Sequence, residues 1–257
     1  MVKDPVTFKT GNFNGQGTPL DMIFKFITKI FSDGRELEDE IHSMCAVTLI
    51  MALLEHLGEG LESQIHTINQ FYLSELSEAD TRNYKNMIIQ GIMMNFWYNQ
   101  SVTIQSLSSL NQLDQVFNFI LNNINEMKND FEIKRIIIGL STLTLSSNSH
   151  QLDNRVQARF QDFMKAILFL CQKSMQCREK KQKKDEQAVE DKECEKGAIY
   201  DEDEDADGEI NIDLDEESEE EDEWQLESDE EGVSDLYDSN LDKVDDILYV
   251  QDMLNTL

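Results

Sequence analysis

The chain is poor in positive charge. Only 22 Lys and Arg stand against 52 Asp and Glu, which leaves a formal net charge of -30 over 257 residues. About -26 of that lies between Asp185 and Asn240, so the deficit belongs to one segment and not to the whole surface. Nucleic acid and acidic lipid are captured by Lys and Arg that neutralise phosphate and release counterions, and such a polyanion repels both. Neither a nucleic-acid partner nor membrane insertion is expected. Cysteine is scarce as well: Cys45, Cys171, Cys177 and Cys194 show no paired spacing, which argues against a disulfide framework and for reduced thiols in the cytosol or nucleus. Met1 to Thr10 carries no apolar run behind basic residues, and no stretch is expected to reach the length of a membrane span.

Catalytic patterns are missing too. His42, His56, His66 and His150 are never paired with another His or a Cys at three or four residues, so no metal site is expected. Gly11, Gly15 and Gly17 follow no strand and lack the Lys and Ser/Thr of a phosphate loop; they suit a linker. There is no nucleophile elbow, no paired-histidine zinc helix and no kinase signature. The residues therefore favour a binding protein without a cofactor over an enzyme.

What is present is helical periodicity. From Thr18 to about Met175, apolar residues recur every three or four positions, with short polar or Gly-containing breaks and no competing strand pattern. Thr18 suits an N-cap and Pro19 the first helical position, ahead of Leu20, Ile23, Phe24, Ile27 and Phe31 on one face. A second helix, Glu36 to Leu57, is apolar over much of its circumference and should lie centrally. A third carries Ile65, Ile68, Tyr72 and Leu76; a fourth begins near Thr81 with Tyr84, Ile88, Gly91, Ile92, Asn95 and Phe96. The fifth has a polar start, Ser101 to Leu110, and then Leu113, Val116, Phe117, Ile120, Leu121, Ile124 and Met127. The sixth has Ile133, Ile136, Ile137, Leu140 and Leu143; the seventh has Phe160, Phe163, Met164, Ile167, Leu168, Cys171 and Met175.

Helix starts near Glu36, Thr81 and Phe131 lie roughly 45 to 50 residues apart, close to the period of HEAT-type helix pairs. The expected fold is all-α: a short HEAT-like helical-repeat solenoid, then a disordered acidic segment and a C-terminal helix. The boundaries are 1–17 for a flexible N-terminal segment, 18–184 for the repeat domain, 185–240 for the acidic segment and 241–257 for an amphipathic helix. The N-terminal pair, lacking a neighbour in this chain, should expose apolar surface. In the terminal helix Val244, Ile247, Leu248 and Leu254 share one side, Asp245 and Asp246 suit the first turn, and the helix is able to fold back onto the repeats.

The acidic segment has few large apolar residues, so burial would not offset the entropy of ordering it. Its candidate binding residues are Asp201, Glu202, Asp203, Glu204, Asp205, Asp207, Glu216, Glu217, Glu219, Glu220, Glu221, Asp222, Glu223, Asp229, Glu230 and Glu231, acting collectively on basic proteins. The calcium-loop spacing is absent, so counterion condensation is the plain alternative. Ser218, Ser228 and Ser239 each have an acidic residue three positions on, the pattern an acid-directed kinase accepts. Arg178, Lys180, Lys181, Lys183 and Lys184 stand where the seventh helix is expected to end, as complements to its dipole.

Several segments together resemble the C-terminal part of the importin-beta superfamily of nuclear import receptors (karyopherins), of the importin-seven and importin-eight type. They are Met44 to Gly60; Tyr84 to Asn99, closing in Phe96-Trp97-Tyr98-Asn99; Thr103 to Leu110; and Val116 to Leu145, with Met127-Lys128, Glu132, Lys134 and Ile137-Ile138-Gly139-Leu140. The acidic run followed by Leu241-Asp242-Lys243-Val244-Asp245 completes the series. Ile133, Arg135 and Leu152-Asp153 depart from the family pattern. The resemblance implies protein import into the nucleus, ribosomal proteins or histones as basic cargo, nucleoporins and the GTPase Ran as partners, and shuttling between cytoplasm and nucleus. The family's N-terminal repeats, which bind Ran, have no counterpart in this sequence, so a fragment or truncated product is expected. Two readings stand beside it: an acidic chaperone for histones or ribosomal proteins without a transport cycle, and a scaffold subunit of an enzyme complex.

Overall fold

Helix is the secondary structure of this protein, with short 3-10 turns and, among the described residues, no strand. The computed structural model describes residues 5–12, 15, 17–33, 40–57, 60–146, 154–197 and 239–256, and the side chains of residues 184–197 are not among what it describes. The helices are α1 (Pro5–Thr10), α2 (Pro19–Asp33), α3 (Glu40–Leu57), α4 (Glu62–Glu78), α5 (Arg82–Ser109), α6 (Leu113–Asn123), α7 (Asp130–Ser146), α8 (Asn154–Ala158), α9 (Phe160–Gly197) and α10 (Asp246–Thr256). Two compact units divide the chain: Met1–Cys177 with Tyr237–Leu257, and Arg178–Leu236. Of the second unit, the end of α9 is described.

Local chemistry explains where the helices begin. Asp21 N donates to Thr18 Oγ1 at 3.1 Å and Thr18 N donates to Asp21 Oδ2 at 2.9 Å, a reciprocal cap that satisfies two otherwise orphaned amides of α2. The Thr18 amide holds the Asp21 carboxyl below the usual carboxylate range. Thr81 Oγ1 accepts from Tyr84 N at 3.3 Å and caps α5, while Glu40 accepts from the amides of Asp80 and Thr81 and from the Thr81 hydroxyl. One acidic side chain thus ties the start of α3 to the turn between α4 and α5.

In the first unit, α3, α5 and α7 pack side by side and α10 adds to α7; α2 packs on α3, and α4 and α6 pack on α5. Ile50, Ile65, Ile68, Ile88, Ile136 and Leu140 are fully buried between them, and each such side chain contributes about 1.5–3 kcal/mol. Aromatic contacts run through the layers. Phe96 of α5 lies 6.1 Å from Phe117 of α6, whose ring meets Phe163 of α9 edge-on at 5.0 Å. At two glycines a neighbouring helix leaves no room for a side chain. A Cβ on Gly91 would stand 2.6 Å from the Tyr72 ring, and one on Gly139 would stand 2.7 Å from Met93 Cβ and 2.9 Å from its carbonyl oxygen.

Several hydrogen bonds join residues 37 to 48 positions apart. Leu61 N to Tyr98 Oη spans 37 residues, Asn69 to Ser106 also 37, and Asn86 to Glu126 spans 40. Arg135 to Gln90 spans 45, Arg155 to Ser108 spans 47, and Lys173 to Asn125 spans 48.

Several expectations need correction. The polar stretch Ser101 to Ser109 is not the start of a helix running to Met127. It continues α5 past a kink at Asn99 (φ -153°, ψ 91°), whose Oδ1 accepts from Val102 N at 3.1 Å and caps the second half. Leu110 and Asn111, the latter left-handed at φ 56°, then separate it from α6. The most central helix is α5, which touches α3, α4, α6 and α7. Residues 1–17 are not all linker, because α1 forms within them and packs on α2. Among the described residues one helix, α3, is long and apolar enough by length and composition to cross a membrane. Burial accounts for that apolarity, since Val47, Ile50, Met51 and Leu54 face α2 and α5 in the core. On α9 the buried row is Phe163, Ala166, Ile167, Leu170 and Ser174, which leaves the expected core residues Leu168 and Met175 exposed. The helix also runs through the expected boundary at 184 to Gly197, so the basic run from Arg178 lies mid-helix and cannot complement a C-terminal dipole there. Lys, Gln, Glu and Ala, which dominate 178–197, all propagate helix well.

Candidate functional site

The sixteen acidic candidates from Asp201 to Glu231, together with Ser218, Ser228 and His150, lie outside the described residues. What the structure describes after them is residues 239–256, which bond or pack against α3, α7 and α9.

Re-entry begins with a polar latch. Ser239 Oγ donates to Glu55 Oε2 at 2.6 Å, Asn240 N donates to the same oxygen at 3.0 Å, and Asn240 Nδ2 donates to Glu55 O at 3.3 Å. Ser239 Oγ also accepts from Leu241 N at 3.1 Å, capping a 3-10 turn over Asn240–Lys243 that packs on α7. Leu241 is buried beside it. The chain then reaches the N-terminal end of α7, where Ser174 Oγ of α9 donates to Asp246 Oδ2 at 2.8 Å and lies 3.4 Å from Asp130 Oδ1. From there α10 runs along α7. Tyr249 Oη meets Thr142 Oγ1 at 3.4 Å, Thr144 Oγ1 donates to Met253 Sδ at 2.9 Å, and Val250 and Met253 are buried.

This docking corrects the expected face of the terminal helix. The buried row is Asp246, Val250 and Met253, while Leu248 is 59% exposed and Leu254 45%. Asp246 decides the matter: once Ser174 holds it, the helix is rotated so that residues four and seven positions on face α7. Ser239, whose sequence spacing fits the pattern an acid-directed kinase accepts, is buried at 4% exposure.

Other polar clusters lie between the helices. His66 Nδ1 lies 3.2 Å from Ser106 Oγ, which also accepts from Asn69 Nδ2 at 3.0 Å, and Asn95 Nδ2 donates to Asn69 Oδ1 at 2.9 Å. A histidine beside a serine has the composition of a nucleophile and base. Here Ser106 is buried between α4 and α5, so the network joins helices. Tyr84 Oη donates to Glu75 Oε2 at 2.6 Å, and burial first, then that carboxylate, pushes the phenol far up. Lys173 donates to Asn125 O at 2.8 Å above the Phe169 ring, and its partial burial draws its ammonium below the usual lysine range. Among the described residues no group of three or more His, Cys, Asp or Glu is arranged to hold a metal ion.

Surface features complete the description. Val6, Phe26 and Ile41 on the first three helices are exposed, and so are Leu168, Phe169 and Met175 on α9 and Leu248 and Leu254 on α10. A groove of about 650 Å³ lies between the end of α4 and α6, lined by Leu73, Leu76, Leu110 and Phe119 with Gln70 and Gln115. No protein-family model matches the chain, and neither a curated protein nor a solved structure matches it.

Proposed function

We propose that this chain is the C-terminal, cargo-binding part of a nuclear import receptor, a non-enzymatic helical scaffold whose acidic segment captures basic proteins. Ribosomal proteins and histones are the expected cargo class, and shuttling between cytoplasm and nucleus is the corresponding life cycle. The observation that carries the reading is the segregation of charge along the sequence: about -26 lies between Asp185 and Asn240, in a chain whose described residues are helical. A polyanion of that density attracts Lys- and Arg-rich clients at long range and fixes their orientation poorly. The helical body supports the scaffold half of the proposal. Its helices pack in succession, α3 on α5 and α5 on α7, as in a short HEAT-like solenoid in which each helix pair covers the next. The exposed Phe26 and Ile41 suit an end of such a stack to which further repeats add.

The test replaces Asp and Glu by Asn and Ser throughout Asp201–Asp207 and Glu216–Glu231 in the full chain, then measures affinity for a purified core histone in about 0.1 M salt. The expected result is loss of salt-sensitive binding, while single substitutions in the same blocks have little effect. Unchanged affinity after the block replacement would sink the proposal. Coprecipitation with nucleoporins, or with Ran once upstream repeats are supplied, separates transport from chaperoning. Histone binding without either points to an acidic chaperone.

A further inference from the structure

Ser239 is bonded on two sides at the point of re-entry. Its hydroxyl donates to Glu55, a residue of α3 lying 184 positions away, and accepts from Leu241 N to close the turn that follows. Asn240 adds two bonds to Glu55, so this one acidic side chain and its carbonyl hold the start of the C-terminal segment. Both Ser239 and Glu55 are buried, at 4% and 8% exposure. Among the described residues of 239–245, Leu241 is the one buried apolar side chain. In sequence Asp238 precedes the serine and Asp242 stands three positions after it.

We propose that Ser239 is a phosphorylation site for an acid-directed serine kinase, and that the phosphate unlatches the C-terminal segment from α3. In the transfer Ser239 Oγ attacks the γ-phosphorus of a nucleoside triphosphate. The Oγ–P bond forms, the bond from that phosphorus to its bridging oxygen breaks, the nucleoside diphosphate leaves, and the hydroxyl proton passes through the kinase's base to solvent. The product cannot re-form the latch. Its ester oxygen has no proton to donate, and a phosphate of about -1.5 to -2 charge would stand against a carboxylate that also only accepts. Nor does a site 4% exposed have room for the added group.

The kinase acts on an opened form. Residues 239–245 are held by the latch and by Leu241, whereas α10 keeps its own anchors at Asp246, Val250 and Met253. The short stretch therefore opens locally while the helix stays docked. Phosphorylation removes the closed form from that equilibrium, so a brief opening becomes a lasting one. The inference is independent of what the acidic segment binds.

The experiment uses the full chain with Ser218→Ala and Ser228→Ala, which removes the other two serines of the acidic segment that share the spacing. It is incubated with an acid-directed serine kinase and magnesium ATP, with a kinase-free control. Mass spectrometry locates the phosphate, and amide hydrogen exchange reads residues 239–245. The expected result is phosphate on Ser239 and exchange about tenfold faster or more in that stretch, the size of effect that losing one carboxylate-bound hydrogen bond produces, with helical circular dichroism retained. Phosphate on Ser239 with unchanged exchange overturns the proposal. So does absence of phosphate from Ser239 under conditions that fill Ser218 and Ser228 of the unmodified chain.

Discussion

At the scale of single residues, glycine matters where α7 meets α5. Gly139 faces Met93, and an added Cβ would press on both the Met93 Cβ and its backbone carbonyl, neither of which is the free end of a flexible side chain. Alanine is favoured over glycine in a helix by about 1 kcal/mol, but overpacking a tight core costs about 1–3 kcal/mol. Since the obstructing atoms are backbone and Cβ, the second effect wins. Gly139→Ala is expected to lower stability by about 1–2 kcal/mol, read as a lower urea midpoint at constant slope. Sequence placed Gly139 inside an apolar helical run, where glycine is a weakness. Its purpose shows only when Met93 is seen across the interface. Arg135 is similar: it departs from the expected apolar pattern, yet it is buried, donates to Gln90 Oε1 at 2.9 Å and lies over the Phe131 ring.

At the scale of elements, the caps were legible and the helix joins were not. Thr18 was identifiable as an N-cap because a hydroxyl before an apolar run satisfies orphan amides, and a helix start was legible near Thr81, which the structure shows to be a cap as well. The start of α7 adds a cap with a titratable member. Glu132 accepts from the Lys128 and Asn129 amides at 3.1 and 3.2 Å while itself largely buried. Burial is the largest influence and raises its carboxyl above the usual value of 4.5, although the two amides, Arg82 and Lys173 pull the other way. The folded protein therefore holds a proton that the unfolded chain has already released. Stability attributable to Glu132 falls as pH rises from about 4.5 through the raised folded value, and stays lower above it. Glu132→Gln, which does not titrate, is expected to remove that part of the pH dependence. Urea midpoints across this range for the two proteins make the comparison, and parallel profiles would refute it. The kink at Asn99 was hidden for a different reason. Asn99 serves as a cap inside one continuous stack, and periodicity alone does not separate a helix that bends from two that are joined.

At the scale of the whole molecule, charge and packing are segregated along the chain. Residues up to about 180 can bury a core because their charges nearly balance and their apolar residues recur at helical spacing; the segment after them carries most of the net charge. If that segment captures basic clients as proposed, salt acts mainly on encounter. Raising salt from about 0.05 to 0.5 M is expected to slow association with a basic protein by tenfold or more, while dissociation changes less. Stopped-flow mixing measures both, and an association rate indifferent to salt would count against long-range capture.

The all-α class, most helix cores and the acidic segment were determined by sequence alone, because periodicity, caps and charge density are local properties of the chain. Tertiary structure decided which face of α10 is buried, that Ser239 is a latch residue, and that Gly91 and Gly139 mark close helix approaches. Each of these depends on a partner about twenty to nearly two hundred positions away. Glu55, Ser174 and Met93 carry no mark in the sequence of what they will touch, and only the packed helices bring them to Ser239, Asp246 and Gly139.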